Sequence, residues 1–137
     1  MRSGPKAARC DVLVVDDEQV VRDGVRKVLE GDGLCVATAE DAASALTHPA
    51  LDDCRLILCD LVIPEQTGID LIPRLKQRRP RLPVILITGY ATPEQEELAL
   101  AAGADGFLAK PFDDAELLAT VRTALAAVEQ AAEEERS

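Results

Sequence analysis

Polar residues stand at or just after the ends of four short apolar runs in this 137-residue chain: Asp16 and Asp17, Asp60, Thr88, and Lys110. Three carboxylates brought together would repel one another, and their pKa values would rise unless a cation compensated them. Mg²⁺ suits such a place because it prefers oxygen ligands and usually takes one or two carboxylates together with phosphate oxygens. We expect Asp17 and Asp60 to supply those carboxylates.

Lys110 and Thr88 would add a cation and a hydroxyl donor around a carboxylate nucleophile. Phosphoryl transfer needs mainly in-line positioning and neutralisation of the charge on the phosphoryl oxygens. The residue types therefore predict a site that receives a phosphoryl group, with Mg²⁺ as its cofactor.

These residues can meet only if the apolar runs form one parallel sheet, whose carboxyl ends share an edge. The runs are continuous rather than alternating, as in strands that are covered on both faces. The five predicted strands span residues 11–16, 34–38, 55–60, 83–88 and 106–110. Amphipathic stretches between them predict five helices, one ending at Gly31 and the others spanning residues 41–46, 68–78, 93–102 and 113–128.

The acidic pair Asp16-Asp17, the segment Asp60-Leu-Val-Ile-Pro-Glu-Gln-Thr-Gly68, Thr88-Gly89 and Lys110-Pro-Phe112 resemble the response-regulator receiver family of two-component signalling. The resemblance covers the chain from Asp11 to Val128. It implies a flavodoxin-like, doubly wound α/β fold with five parallel strands in the order 2-1-3-4-5, five helices and three layers.

Matching the family motif residue by residue implies a role for each position. Asp60 would be the phosphoacceptor, and Thr88 and Lys110 would contact the phosphoryl oxygens. Asp17, Asp60 and the backbone carbonyl of Val62 would bind Mg²⁺, with Asp16 acting through a water. Thr88 and Phe107 would form a conformational switch, and the peptide bond between Lys110 and Pro111 would be cis.

The same resemblance implies a signalling phosphoacceptor, not an enzyme with a separate substrate. The phosphoryl group would come from a histidine kinase or a histidine phosphotransfer protein. The fourth helix, fifth strand and fifth helix would then contact a downstream protein or a second copy of the chain. Val62 and the bulky Tyr90 stand beside the site, where they would affect the lifetime of the phosphoryl group.

Three other functions fit the residues less well. A phosphohydrolase of the haloacid dehalogenase type places its nucleophile in an Asp-x-Asp pattern after the first strand, whereas Asp16-Asp17-Glu18-Gln19 stands there. A flavin-binding module of the flavodoxin type needs a phosphate-binding loop at the point where this acidic pair would repel phosphate. A docking module independent of phosphorylation would not need the complete acceptor set.

Length and charge limit the remaining possibilities. A chain of 137 residues fits one domain, which we expect at residues 11–128 between a short N-terminal tail, 1–10, and an acidic C-terminal extension, 129–137. We expect this extension to be a fraying or solvated continuation of the last helix, with a partner-binding acidic tail as the alternative. A formal net charge of −10 disfavours direct contact with nucleic acid or anionic lipid. No apolar stretch reaches the roughly 20 residues that span a bilayer, so we expect a cytoplasmic protein without membrane contact.

Four cysteines, Cys10, Cys35, Cys54 and Cys59, form no Cys-x-x-Cys pair. Buried, reduced thiols are the simplest prediction because free cysteine packs as a small apolar residue, while a metal site or a redox pair stays open. The single histidine, His48, has no second histidine near it, so an ordinary loop or helix-end residue is predicted ahead of a metal ligand or catalytic group.

Overall fold

A computed structural model describes residues 10–89 and 92–136 of the chain. Tyr90 and residues 1–9 of the expected tail lie outside the described residues. The five-stranded sheet is formed by β1 (Val12–Val15), β2 (Val36–Ala39), β3 (Leu56–Asp60), β4 (Val84–Thr88) and β5 (Gly106–Ala109). All pairings in this sheet are parallel and the strand order is β2-β1-β3-β4-β5, which confirms the predicted order.

Five α-helices connect and cover the strands: α1 (Gln19–Gly31), α2 (Ala42–Leu46), α3 (Gly68–Arg78), α4 (Pro93–Ala102) and α5 (Asp114–Arg136). The bounds of α3 and α4 are those predicted. Local chemistry explains where they begin: Thr67 caps α3 in a reciprocal capping box with Asp70, and the Thr92 hydroxyl accepts from the Gln95 N–H. Gly103 ends α4 in the left-handed conformation, at φ 113°.

Two apolar clusters lie on opposite faces of the sheet, so the fold has three layers. Alternation along β1 shows the division, since Val12 and Val14 enter one cluster whereas Leu13 and Val15 enter the other. The first cluster is completed by buried residues of α1 and α5, and the second by buried residues of α2, α3 and α4. Because both faces are covered, the strands are apolar throughout, as the sequence pattern predicted.

Helix α5 continues past residue 128 to Arg136, so the described part of the acidic extension prolongs the last helix, as expected. Two features differ from the prediction. A short antiparallel pair, Val62–Ile63 with Gln66–Thr67, forms between β3 and α3. Cys35 is exposed, whereas Cys10, Cys54 and Cys59 are buried as expected.

Composition and one long-range contact explain the length of α5. Residues 126–136 are rich in alanine and glutamate, which favour helix, and Arg55, the residue before β3, pairs with Glu129 at 2.8 Å. Among the described residues, no helix is both long and apolar enough to cross a membrane.

Candidate functional site

Three carboxylates meet at the carboxyl ends of β1 and β3. Asp60 is the last residue of β3 and Asp16 follows β1, and both are buried; Asp17 is exposed. One carboxylate oxygen from each of the three lies within 4.8 Å of the others. The fold therefore brings together the acids that the sequence pattern singled out.

The two carboxylate oxygens of Asp16 differ in their hydrogen bonding within the described part of the chain. Its Oδ1 accepts a hydrogen bond from the Glu18 N–H at 2.8 Å, whereas its buried Oδ2 has no hydrogen-bond partner among the described residues. Burial raises the pKa of Asp16 to about 6; the Glu18 N–H opposes this shift and the neighbouring Asp60 adds to it. This carboxyl group is mostly protonated below about pH 6, and a second cation close to it would favour its ionised form.

Lys110 supplies one positive charge. Its ammonium donates to Oδ2 of Asp60 at 2.9 Å and lies 3.8 Å from Oδ2 of Asp16. Burial lowers the pKa of Lys110, but the hydrogen bond and charge of Asp60, followed by the charge of Asp16, outweigh burial and raise it overall. The other oxygen of Asp60 accepts from the Val62 N–H at 2.9 Å, so both oxygens of this carboxylate are held in place.

Backbone contacts fix the strand ends around this carboxylate. The Lys110 N–H donates to the Thr88 carbonyl at 2.8 Å, and the Leu61 N–H donates to the Ile87 carbonyl at 2.8 Å. Thr88 is buried at the end of β4, and the bond between Lys110 and Pro111 is cis, as predicted. These contacts hold Thr88 at the end of β4 and Lys110 just after β5, the two strands that follow β3 in the sheet.

Gly68 allows α3 to begin against the end of β3. A Cβ atom at this position would lie 2.7 Å from the Asp60 carbonyl oxygen and 2.9 Å from Cδ2 of Leu86. Only glycine fits here without displacing the Asp60 backbone, and the Gly68 N–H donates to the Leu61 carbonyl at 2.7 Å. The close approach of α3 to the end of β3 therefore depends on the missing side chain of Gly68.

Comparison with known proteins identifies the family to which this chain belongs. The sequence model described as "Response regulator receiver domain" matches residues 12–122. The chain belongs to the response regulator receiver family. This family is one of signalling phosphoacceptors in two-component systems, which agrees with the chemistry indicated by the residues.

Individual receivers are similar in sequence and fold. An uncharacterized 14.6 kDa protein of Leptolyngbya boryana is 37% identical over 117 residues, which are 84% of this chain and 89% of that protein. The KDP operon transcriptional regulatory protein KdpE of Escherichia coli is 41% identical over 115 residues, 84% of this chain but only 51% of KdpE. This chain thus spans about half the length of KdpE. The chemotaxis protein CheY4 of Vibrio cholerae has a TM-score of 0.80 at 30% identity, covering 85% of this chain and 98% of that chain.

The two remaining predicted positions of the receiver are Val62, beside Asp60, and Phe107, in β5. Val62 offers its N–H to Asp60, while its side chain is 71% exposed. Phe107 is half-buried in β5, where it pairs in register with Leu86 and packs against the core. Its place between the core and the surface fits the switch role, which stays a prediction.

Sequence reasoning missed Arg22. This residue is in the first turn of α1, and its guanidinium donates to the Asp16 carbonyl at 2.6 Å. The interaction fixes the backbone from which the acidic pair projects. The signal was present in the sequence as a cation six residues after Asp16, but helical spacing alone does not indicate that the side chain turns back to the preceding loop.

The donor set of this receiver fits a hard divalent cation. Three carboxylates lie within reach of one another and the buried Oδ2 of Asp16 lacks a hydrogen-bond donor in the described part of the chain. Lys110 offsets only part of this negative charge. An all-oxygen cluster of this kind could hold a metal ion, and its ligand chemistry matches that of Mg²⁺.

Proposed function

We propose that this receiver accepts a phosphoryl group on Asp60 from a histidine kinase or a histidine phosphotransfer protein, in a Mg²⁺-dependent reaction. The observation that carries the proposal is the position of the Asp60 carboxylate. It is held by Lys110 at 2.9 Å and by the Val62 N–H at 2.9 Å, with Asp16 and Asp17 beside it. A carboxylate fixed in this way is placed to act as a nucleophile.

In the proposed reaction, an oxygen of Asp60 forms a bond to phosphorus as the bond from phosphorus to the donor's histidine nitrogen breaks. Lys110 moves its ammonium from the carboxylate to a phosphoryl oxygen, and the Thr88 hydroxyl donates to another. Asp17, Asp60 and the Val62 carbonyl would hold Mg²⁺, with Asp16 acting through a water. When bound, the ion neutralises charge on the phosphoryl oxygens and lowers the repulsion between the acids and the donor.

Exposed apolar side chains near the acids favour a protein as the phosphoryl donor. Val20, in the first turn of α1, is 83% exposed, and Val62, two residues after Asp60, is 71% exposed. Single exposed apolar residues are ordinary, but Val20 follows the acidic pair by three residues and Val62 follows Asp60 by two, so both offer apolar surface close in sequence to the acids. This surface would allow a donor protein to bind around its phosphohistidine.

The signal would leave through α4, β5 and α5. Leu98 and Leu100 of α4 are 60% and 58% exposed, and they lie on a helix that also exposes Glu94, Glu96 and Glu97. The two leucines flank the buried Ala99 on different sides of the helix, and each stands among exposed acidic residues, so either can anchor a protein contact that has a charged rim. We propose that a downstream protein or a second copy of the chain binds there after phosphorylation.

Incubation with acetyl phosphate tests the proposal without requiring the natural donor. In the presence of Mg²⁺ the intact mass is expected to increase by one phosphoryl group, and chelation of the ion by EDTA is expected to prevent the gain. A mass that stays unchanged under both conditions, in protein shown to be folded by circular dichroism, would leave a phosphorylation-independent docking module as the better account.

A further inference from the structure

Two buried thiols lie next to each other before the amino ends of β1 and β3, at the opposite end of these strands from Asp60. Cys10 is two residues before β1 and Cys54 is two residues before β3, and they are 3% and 0% exposed. The strands are paired so that Val12 lies beside Leu56, and the Arg55 N–H donates to the Asp11 carbonyl at 3.1 Å. Cys10 and Cys54 therefore stand level with each other on neighbouring chain segments.

This placement is compatible with the separation that a disulfide requires. Neighbouring strands run about 4.8 Å apart, and bridged cysteines have Cα separations of about 4.4–6.8 Å. Both side chains enter the same apolar cluster, so they project to the same face of the sheet. Distance and direction are thus both compatible with a bond between the two sulfur atoms.

The surroundings shift the pKa values of the two thiols in opposite directions. Arg79 donates from one nitrogen to the Cys54 carbonyl at 2.6 Å and lies 4.0 Å from the Cys54 Sγ. A hydrogen bond from Cys10 lowers the pKa of Cys54, as does the charge of Arg79, against the effect of burial. The same hydrogen bond and burial raise the pKa of Cys10. Cys54 is accordingly the thiol that becomes the nucleophilic thiolate, and Cys10 is the one that keeps its proton.

A cavity brings solvent close to this pair. It has a volume of about 440 Å³, and its walls include Arg55, Arg79, Leu82 and Pro83. Arg79 lines the cavity and its guanidinium also contacts Cys54, so this side chain adjoins both. A molecule as small as hydrogen peroxide can occupy such a space, and a local opening at Arg79 would bring it to the sulfur atom.

We propose that Cys10 and Cys54 form a dithiol site that hydroperoxides oxidise to a disulfide. The Cys54 thiolate attacks one peroxide oxygen, the O–O bond breaks, and the leaving hydroxide takes a proton to become water. The resulting sulfenic acid of Cys54 is attacked by the Cys10 sulfur, which loses its proton, and the hydroxyl leaves as a second water. Both sulfur atoms are oxidised, the peroxide is reduced, and two thiols plus hydrogen peroxide give one disulfide plus two waters.

The other two cysteines serve as internal controls. The Cys59 thiol points to the Asp60 carbonyl at 3.3 Å, and burial raises its pKa, so it lacks the feature that activates Cys54. Cys35 is exposed and precedes β2, on the far side of β1 from β3. Oxidation directed by exposure alone would select Cys35, whereas oxidation directed by the paired geometry selects Cys10 and Cys54.

The test is a peptide map of the full chain after treatment with hydrogen peroxide, alkylation in denaturant and digestion without reductant. We expect a cross-linked peptide pair that contains Cys10 and Cys54, the loss of two alkylatable thiols, and their recovery with dithiothreitol. Cys35→Ser should leave the cross-link intact, and Cys54→Ser should abolish it. Because the wild-type map identifies the bonded residues directly, the result stands even if the Cys54 variant folds poorly.

A variant of Arg79 tests the proposed activation. Arg79→Gln should slow formation of the cross-link, and Arg79→Lys should restore much of the rate because it keeps the charge. The proposal is overturned if folded wild-type protein retains four alkylatable thiols, if only Cys35 is oxidised, or if the cross-link joins any other pair. Labelling by acetyl phosphate reports on Asp60 at the opposite edge, so failure here is distinguishable from failure of the proposed phosphoacceptor function.

Discussion

The ammonium group of Lys110 lies 2.9 Å from Oδ2 of Asp60, so the proposed phosphoacceptor is paired with an internal cation. The two residues are 50 positions apart and end up together because β3, β4 and β5 are successive neighbours in the sheet. A cation in this position has two consequences. Lys110 holds the Asp60 carboxylate in position for attack on a phosphoryl group, and it competes with any metal ion for Oδ2 of Asp60.

Removing that competition should strengthen Mg²⁺ binding to the unphosphorylated protein. In Lys110→Met, Asp60 loses its partner, and the attraction of the three acids for Mg²⁺ increases, which we expect to lower the Kd on the order of tenfold. Titration of the melting temperature with Mg²⁺ measures the effect. Lys76→Met is the matched control, since Lys76 pairs with Asp105 away from the acids. Equal Mg²⁺ responses in wild type and Lys110→Met would show that Lys110 does not compete.

Asp16 should make the stability of the metal-free protein depend on pH. Its pKa is raised from 3.8 to about 6 in the folded state, so between these values the folded protein binds the proton more tightly than the unfolded chain. The contribution of Asp16 to the free energy of unfolding is therefore greatest below pH 4, falls as pH rises through 6, and then stays constant.

Urea denaturation in EDTA at pH 4.5 and 6.5 measures this effect. Asp16→Asn should gain stability relative to wild type at the higher pH, by on the order of 2 kcal/mol compared with the lower pH. The same difference should shrink when Mg²⁺ is added at pH 6.5, because the ion compensates the carboxylate. A difference between the two proteins that does not vary with pH would rule out a raised pKa at Asp16.

Gly68→Ala should destabilise the fold by roughly 1–3 kcal/mol, because its Cβ would press against the Asp60 carbonyl and Leu86. Gly24→Ala in α1 is the matched control, since a Cβ there meets no atom within 4 Å. That change should stabilise the protein by up to about 1 kcal/mol, as alanine does in a helix interior. Chemical denaturation of both variants gives the comparison, and a neutral Gly68→Ala would contradict the close packing of α3 against β3.

Thr88→Ala should separate phosphoryl uptake from the surface change. The variant keeps Asp60 and Lys110, so beryllofluoride, a mimic of the phosphoryl group, should still bind. It lacks the Thr88 hydroxyl, which we propose moves toward the phosphoryl oxygens. In wild type we expect NMR shift changes to extend from the loops around Asp60 to Phe107 and α4. In Thr88→Ala they should stop near Asp60. Identical shift patterns in the two proteins would remove Thr88 from the switch.

The sequence predicted the sheet well because its apolar runs and the polar residues after them are local signals. The order of the strands and the role of each acid came from the resemblance to a family, which the comparisons then confirmed for the family and the fold. The long-range pairs had no local signal. Contacts of Arg22 with the Asp16 carbonyl, of Arg55 with Glu129, and of Cys10 with Cys54 depend on how strands and helices are placed in space.

The local sequence pattern also could not predict which apolar residues and cysteines are exposed to solvent. Cys35 stands beside an apolar run, yet it is exposed because β2 is an edge strand and the residue precedes the strand itself. Leu98 and Leu100 are apolar residues of a helix and would ordinarily be assigned to the core, but only Ala99 of α4 is fully buried among its described residues. Such positions become visible only when the packing of the helix is known.

Labelling of wild type and Asp60→Asn by acetyl phosphate tests the central claim most directly. The variant keeps the size and shape of the side chain but removes the nucleophilic carboxylate. With Mg²⁺ present, wild type should gain one phosphoryl group, which peptide mapping should place on Asp60, and the variant, folded by circular dichroism, should gain none. Equal labelling of the two proteins, or a phosphoryl group mapped to another residue of the wild type, would contradict Asp60 as the phosphoacceptor.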